Sequence, residues 1–81
     1  MYCTAACPFC QSAERLLAQN GAAVDKIRVD LEPERRAEMA RLSGRRTVPQ
    51  IWIGSRHVGG CDDLYALERE GKLAPLLAAQ P

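Results

Sequence analysis

The sequence predicts an α/β protein in which a central four-stranded mixed sheet is flanked by helices, in the order β-α-β-α-β-β-α-α. Three observations carry this. Short apolar or β-branched runs alternate with helical patterns over the first half of the chain, the mark of a β-α-β unit. Gly54-Ser55 then separates two β-rich runs as a two-residue hairpin loop, so the last two strands must be antiparallel. The length of 81 residues, 47% of them hydrophobic, suits a single domain over 1–81 with a modest core.

Met1-Tyr2-Cys3-Thr4 is short and apolar and reads as a buried first strand. Pro8 suits the first turn of a helix, where its missing N–H costs nothing. That helix runs to about Asn20, with Ala13, Leu16 and Leu17 on one stripe, and Gly21 closes it as a left-handed cap. Val24 to Leu31 is rich in β-branched residues and reads as the second strand, parallel to the first through a right-handed crossover. Pro33 opens a second, heavily charged helix to about Leu42, with Met39 and Leu42 as its inward pair, and Ser43-Gly44 ends it. Thr47-Val48-Pro49 leads into the strand Gln50 to Ile53, Gly54-Ser55 makes a turn of the primed type, and Arg56-His57-Val58 returns beside it. Trp52 is expected in the core, and His57, alone near the hairpin, at the surface. Gly59-Gly60 breaks the sheet. Asp62 has the look of an N-cap for a helix to about Glu70. Leu73, Leu76 and Leu77 pack a terminal helix, Lys72 to Ala79, onto the core.

Lys and Arg number 11 against 10 Asp and Glu, a net charge of +1. That balance offers no electrostatic footing for nucleic acid or an anionic membrane. No apolar run approaches the roughly 20 residues of a membrane span. Met1 opens directly into the first strand with no signal peptide before it, so a cytoplasmic location is expected. In a reducing compartment, the 4 cysteines point to catalysis or metal binding rather than to structural disulfides.

Two of them form Cys7-Pro8-Phe9-Cys10, where the opening strand gives way to the first helix. A C-x-x-C beside a β-α-β pattern reads as a thioredoxin-like redox motif. Position supplies the reason. At a helix start, unpaired N–H groups and the positive end of the helix dipole face the Cys7 sulfur and favour its thiolate, the nucleophilic form. Cys10, one turn on, can reach back to close a disulfide. A structural zinc half-site, or two small buried apolar residues, are the bland alternatives, and the pair by itself does not choose among the three.

Four landmarks coincide in order: Cys7-Pro8-Phe9-Cys10, Thr47-Val48-Pro49-Gln50-Ile51, Gly59-Gly60-Cys61-Asp62-Asp63-Leu64, and the alternation of elements. On these the chain resembles the glutaredoxins over nearly its whole length, most closely their small bacterial dithiol class. The resemblance implies a thioredoxin-like fold and glutathione-dependent reduction of protein disulfides and protein–glutathione mixed disulfides. It implies that Cys7 attacks, that Cys10 resolves, and that Pro49 follows a cis peptide bond. It further implies a glutathione site of Arg36, Thr47, Val48, Pro49, Gly60, Cys61 and Asp62. The Val48 backbone would pair with the cysteine of glutathione as a short strand addition. The helix start at Gly60-Cys61 and the Asp62 carboxylate would meet the γ-glutamyl carboxylate and ammonium, the glycines allowing close approach. Arg36 would meet the glycyl carboxylate, although it also reads as a solvated charge beside Arg35. Arg45 and Arg46 stay outside this set, as a solvated turn or as added positive potential. Expected partners are glutathione and disulfide-containing or glutathionylated proteins, with no metal and a monomeric chain.

Two positions depart from the family pattern. Thr4 stands where a lysine is usual, three residues before the attacking cysteine, which predicts weaker glutathione affinity or more reliance on Arg36. Phe9 replaces the more frequent tyrosine and keeps the aromatic wall. Cys3 is read as a small buried residue, and Cys61 as contributing its backbone rather than its thiol. Cys3-x3-Cys7-x2-Cys10 matches an iron–sulfur spacing of radical enzymes, which are far larger chains. Two other functions remain as alternatives: a dimer bridging a glutathione-ligated 2Fe-2S cluster through Cys7, and an electron donor driven by thioredoxin reductase.

Overall fold

A computed structural model describes residues 1–79. The elements follow the expected order: β1 (Tyr2–Cys3), α1 (Pro8–Gln19), β2 (Ile27–Arg28), α2 (Pro33–Ser43), β3 (Ile51–Ile53), β4 (Arg56–Gly59), α3 (Cys61–Arg69) and α4 (Leu73–Ala78). β1 and β2 pair in parallel, Tyr2 with Ile27 and Cys3 with Arg28. β3 and β4 pair antiparallel. A single antiparallel bridge, Tyr2 with Gln50, joins the two ladders. Each of its residues donates its N–H to the other's carbonyl, at 2.9 and 3.2 Å. The strands therefore lie as β2-β1-β3-β4, a mixed sheet.

Strand periodicity sorts the core onto the two faces of that sheet. Ile51 and Ile53 point to one side and pack with Ala13, Leu16 and Leu17 of α1, Leu64 of α3 and Leu73 of α4. Gln50 and Trp52 alternate with them and point to the other side, where Tyr2, Val29 and Met39 form a smaller cluster with Trp52 against it. Pro8 opens α1 and Gly21, at φ 77°, lies just past its end.

Four local expectations change. β2 is not Val24–Leu31: only Ile27 and Arg28 pair as a strand. The chain turns at once, with the Leu31 and Glu32 N–H groups both donating to the Arg28 carbonyl and an Arg28–Asp30 ion pair at 2.6 Å across the bend. Leu42 does not face inward. Met39 is the buried residue of α2 and Leu42 is 57% exposed, because this short helix meets the sheet along a line one side chain wide. Asp62 does not cap α3. Gly60 is the N-cap, and Asp63, in the first turn, reaches back to accept its N–H at 2.9 Å. His57 is not an isolated surface residue. It is half-buried, its ring 4.4 Å from that of Trp52, and its Nε2 lies 2.8 Å from Gln50 Oε1. Trp52 in turn meets Tyr2 edge-on at 5.4 Å.

The hairpin turn is of the primed kind expected. Gly54 has φ 62° and Ser55 has no positive φ, as a type II′ turn requires. Ile51 pairs with Gly59 but Trp52 pairs with His57, so Val58 is an extra residue and β4 carries a bulge. Gly59 takes φ 119°, and a Cβ there would collide with the Asp63 carboxylate. The bulge thus delivers the chain into α3 with Asp63 closely packed against it.

Met39→Ala is expected to cost about 2–5 kcal/mol, the range for emptying a fully buried large side chain. Leu42→Ala should stay within about 0.5 kcal/mol, as at other exposed sites. Urea unfolding of both variants distinguishes this arrangement from one in which the two residues face inward together.

Candidate active site

Cys7 is the N-cap of α1, in an extended conformation, and its Sγ accepts the Cys10 N–H at 3.2 Å. One of the orphan donors of a helix start thus points at this sulfur, which also lies at the positive end of the helix dipole. Pro8, at the first helical position, contributes no competing N–H. Both side chains are buried, Cys7 at 7% exposure and Cys10, one turn further on, at 4%. Burial pushes the Cys10 thiol from an ordinary 9.0 up to about 12, and a hydrogen bond to Cys7 pushes the same way, with a backbone hydrogen bond from Thr4 partly offsetting them. A proton is therefore held on Cys10 beside the Cys7 sulfur. Cys3 and Val48 pack around this pair. Burial also raises the Cys3 thiol.

The opposite wall comes from the loop before β3. The Val48–Pro49 peptide is cis. The Val48 carbonyl lies 3.9 Å from Cys7 Sγ. A depression of about 210 Å³ opens beside it, lined by Phe9, Arg45, Thr47, Val48, Pro49, Gly60, Cys61, Asp62 and Asp63. Six of the residues singled out from sequence thus converge: Thr47, Val48, Pro49, Gly60, Cys61 and Asp62. The Cys61 thiol turns away into the core with Leu64 and Leu73, and burial raises it, so only the rest of the residue serves this wall. Phe9 stands 62% exposed between the two cysteines.

Arg36 lies elsewhere. It is exposed, donates to the Arg46 carbonyl at 3.4 Å, and with Pro33, Ala37, Ala40 and Arg46 lines a separate groove of about 450 Å³. The guanidinium on the depression belongs to Arg45, which donates to Asp63 Oδ2 at 2.9 Å. Arg45 and Asp63 are the residues that sequence reasoning passed over. The pairing of a basic turn with the second of two adjacent aspartates was the available signal, but which arginine turns inward depends on the loop. Asp63 holds two partners at once. The Gly60 N–H first, and then the Arg45 guanidinium, keep its carboxyl below the ordinary value of 3.8. A larger cavity, about 850 Å³, lies between the loop after α1, β3 and α4 and contains no cysteine. Among the described residues, no cluster of three or more His, Cys, Asp or Glu is arranged to hold a metal ion, and no helix is long and apolar enough to cross a membrane.

Two thiols one helical turn apart, one capping the helix and one protonated behind it, are suited to making and breaking a disulfide. The sheet and helices that carry them are those of the thioredoxin-like class of thiol–disulfide oxidoreductases. The chain belongs to the glutaredoxin family, whose model matches residues 1–58. A glutaredoxin of Pseudomonas aeruginosa is 58% identical over 79 residues, covering 98% of this chain and 94% of that protein. Glutaredoxin 3 of Escherichia coli is 47% identical over 77 residues, covering 95% and 93%. The crystal structure of a buckwheat glutaredoxin–glutathione complex matches with a TM-score of 0.89 at 35% identity, over 95% of this chain and 73% of that one. The protein is accordingly an enzyme, a thiol–disulfide oxidoreductase.

Asp63, with its carboxyl held low in the fold, contributes stability that is present above its unfolded value and lost as pH falls through and below it. Melting temperature should therefore drop as pH falls below about 4, and Asp63→Asn should drop less steeply on that acid limb while starting lower at pH 7. Thermal melts across that range test it. An equally steep acid limb in Asp63→Asn removes the Gly60 and Arg45 contacts as its cause.

Proposed function

We propose that the enzyme uses glutathione to reduce protein disulfides and protein–glutathione mixed disulfides, with Cys7 as nucleophile and Cys10 as resolving thiol. The observation that carries this is the geometry of the two thiols: Cys7 caps α1 and its sulfur accepts the Cys10 N–H, whereas Cys10 lies one turn further into the helix with its thiol pushed up by burial. The Cys7 thiolate attacks one sulfur of the substrate disulfide, a new S–S bond forms, and the other sulfur leaves as a thiolate that takes up a proton. Once Cys7 is in a mixed disulfide it carries no charge, so its contribution to holding the proton on Cys10 disappears. As Cys10 attacks Cys7, its proton passes to the departing substrate thiolate, releasing the reduced protein and leaving the Cys7–Cys10 disulfide for glutathione to reduce. When the mixed disulfide on Cys7 is with glutathione itself, a second glutathione can release it, and Cys10 is dispensable.

Glutathione fits the depression beside Cys7. Its cysteine backbone pairs with Val48, between Thr47 and Pro49. Its γ-glutamyl carboxylate meets the start of α3 at Gly60 and Cys61, and its ammonium meets the exposed Asp62. The glycyl carboxylate takes Arg36 from the neighbouring groove, with no lysine at Thr4 to share it. Arg45 adds positive charge at the rim. Residues 1–81 act as one domain and as a monomer, with no nucleic-acid or membrane partner. Work as a reductant fits the reducing cytoplasm.

In a glutathione-coupled assay on a mixed-disulfide peptide, Cys7→Ser should abolish turnover and Cys10→Ser should retain a substantial part. On a protein disulfide both should fail. Activity surviving in Cys7→Ser refutes the assignment. Thr4→Lys should lower the glutathione KM by about 2- to 5-fold, the scale of one exposed charge contact. An unchanged KM rejects a role for that position.

A further inference from the structure

Among the described residues, Gln50 is the buried polar side chain, with 0% exposure. An amide sealed from water needs its partners on the protein, and all of them lie along one line. Its Nε2 donates to the Thr47 carbonyl at 3.0 Å and lies 3.3 Å from Thr47 Oγ1. Its Oε1 faces His57 Nε2 at 2.8 Å. A carboxamide oxygen only accepts, so His57 Nε2 carries the proton and donates. The ring cannot swing away freely. It stacks on Trp52 at 4.4 Å, and Trp52 is braced edge-on by Tyr2 at 5.4 Å. Strand parity puts Gln50 and Trp52 on the same face, and His57 is the cross-strand partner of Trp52. The Gln50 backbone is pinned as well, by both hydrogen bonds of its bridge to Tyr2.

We propose that His57 is a positioning residue for the loop Thr47-Val48-Pro49: its Nε2–H orients the Gln50 amide, which holds the Thr47 carbonyl and so fixes the peptide that presents Val48 beside Cys7. The Thr47 carbonyl belongs to the peptide whose N–H is that of Val48. Gripping that oxygen sets the rotation of the peptide plane, and with it the direction of the Val48 N–H. Nothing else among the described hydrogen bonds holds the Thr47 carbonyl. Without the His57 donor, the Gln50 oxygen is a buried acceptor with no partner, and the amide gains by rotating toward any other donor and releasing Thr47. The consequence for the reaction rests on the reading that Val48 pairs with the cysteine backbone of glutathione. On that reading the loss falls on substrate binding, since His57 shares no described hydrogen bond with Cys7 or Cys10.

Two variants separate the hydrogen bond from the stacking. His57→Phe keeps a ring on Trp52 and has no donor; His57→Gln places an amide donor near the position of Nε2 and has no ring. The amide resonances of Thr47 and Val48 and the steady-state constants for a glutathionylated peptide are measured in the full chain. In His57→Phe both resonances should move and KM should rise about 3- to 10-fold with kcat within about 2-fold, the scale of one hydrogen bond lost. His57→Gln should bring resonances and KM back toward wild type. Unmoved resonances and KM in His57→Phe, or equal impairment in the two variants, overturn the proposal. Failure of the glutathione reading shows separately, as wild-type turnover that does not saturate with glutathione. In that case the Thr47 and Val48 resonances decide whether His57 positions the loop.

Discussion

The site depends on one pair of backbone hydrogen bonds, those between Tyr2 and Gln50. They are the bridge between the two ladders, and their antiparallel sense decides what meets what. Moving forward from Tyr2, the chain runs toward Cys7. Moving backward from Gln50, it runs through Pro49 and Val48 to Thr47. In an antiparallel pair these directions coincide in space. The thiol and the cis-proline loop therefore reach the same edge of the sheet with no dedicated connector between them. A parallel bridge at the same residues would have sent them to opposite ends.

Within that frame, position on the helix divides the chemistry between two identical, buried side chains. Cys7 stands at the cap, where a helix has N–H groups to spare. Cys10, three residues later, stands where the same helix faces the core. The distinction needs no charged side chain, which matters here because the usual neighbouring cation is absent at Thr4. The positive charge near the site comes instead from Arg45, and that guanidinium is already engaged by Asp63. Asp63 also accepts the Gly60 N–H, so a single carboxylate ties the start of α3 to the turn before Thr47. Two lining segments far apart in sequence are held in fixed relation by one residue.

Much of this was legible in the residues themselves. The element order and the hairpin type follow from local rules about proline, glycine and spacing, whereas the cis bond before Pro49 and the convergence of Thr47 to Pro49 with Gly60 to Asp62 were expected from the family resemblance. What was not legible depends on which face a side chain takes after the chain has packed. β-branched content marked Val24 to Leu31 as a strand, but only two of its residues find a partner before the Arg28–Asp30 bend. Met39 and Leu42 are equivalent in sequence, and only contact with Tyr2 and Val29 separates them. Asp62 and Asp63 both suit a helix start; the positive φ of Gly59 and the N–H of Gly60 select the second. His57 looked solitary because its partners, Gln50 and Trp52, are neighbours only across the hairpin. Arg36, whose glutathione role came from resemblance, lies on a groove apart from the depression beside Cys7.

The bulge at Val58 acts as a phase shift. A strand assigns its side chains to faces by odd and even positions, and one inserted residue exchanges the two classes from there on. Before the bulge, His57 sits across from Trp52; after it, Gly59 sits across from Ile51 and the chain enters α3 with Cys61 turned to the core. Removing Val58, the one residue between His57 and Gly59, would keep every hydrophobic residue that α3 contributes and shift by one position the point at which β4 hands the chain to α3. The segment is therefore indexed by count rather than by composition, and its length is as much a part of the site as any side chain lining it.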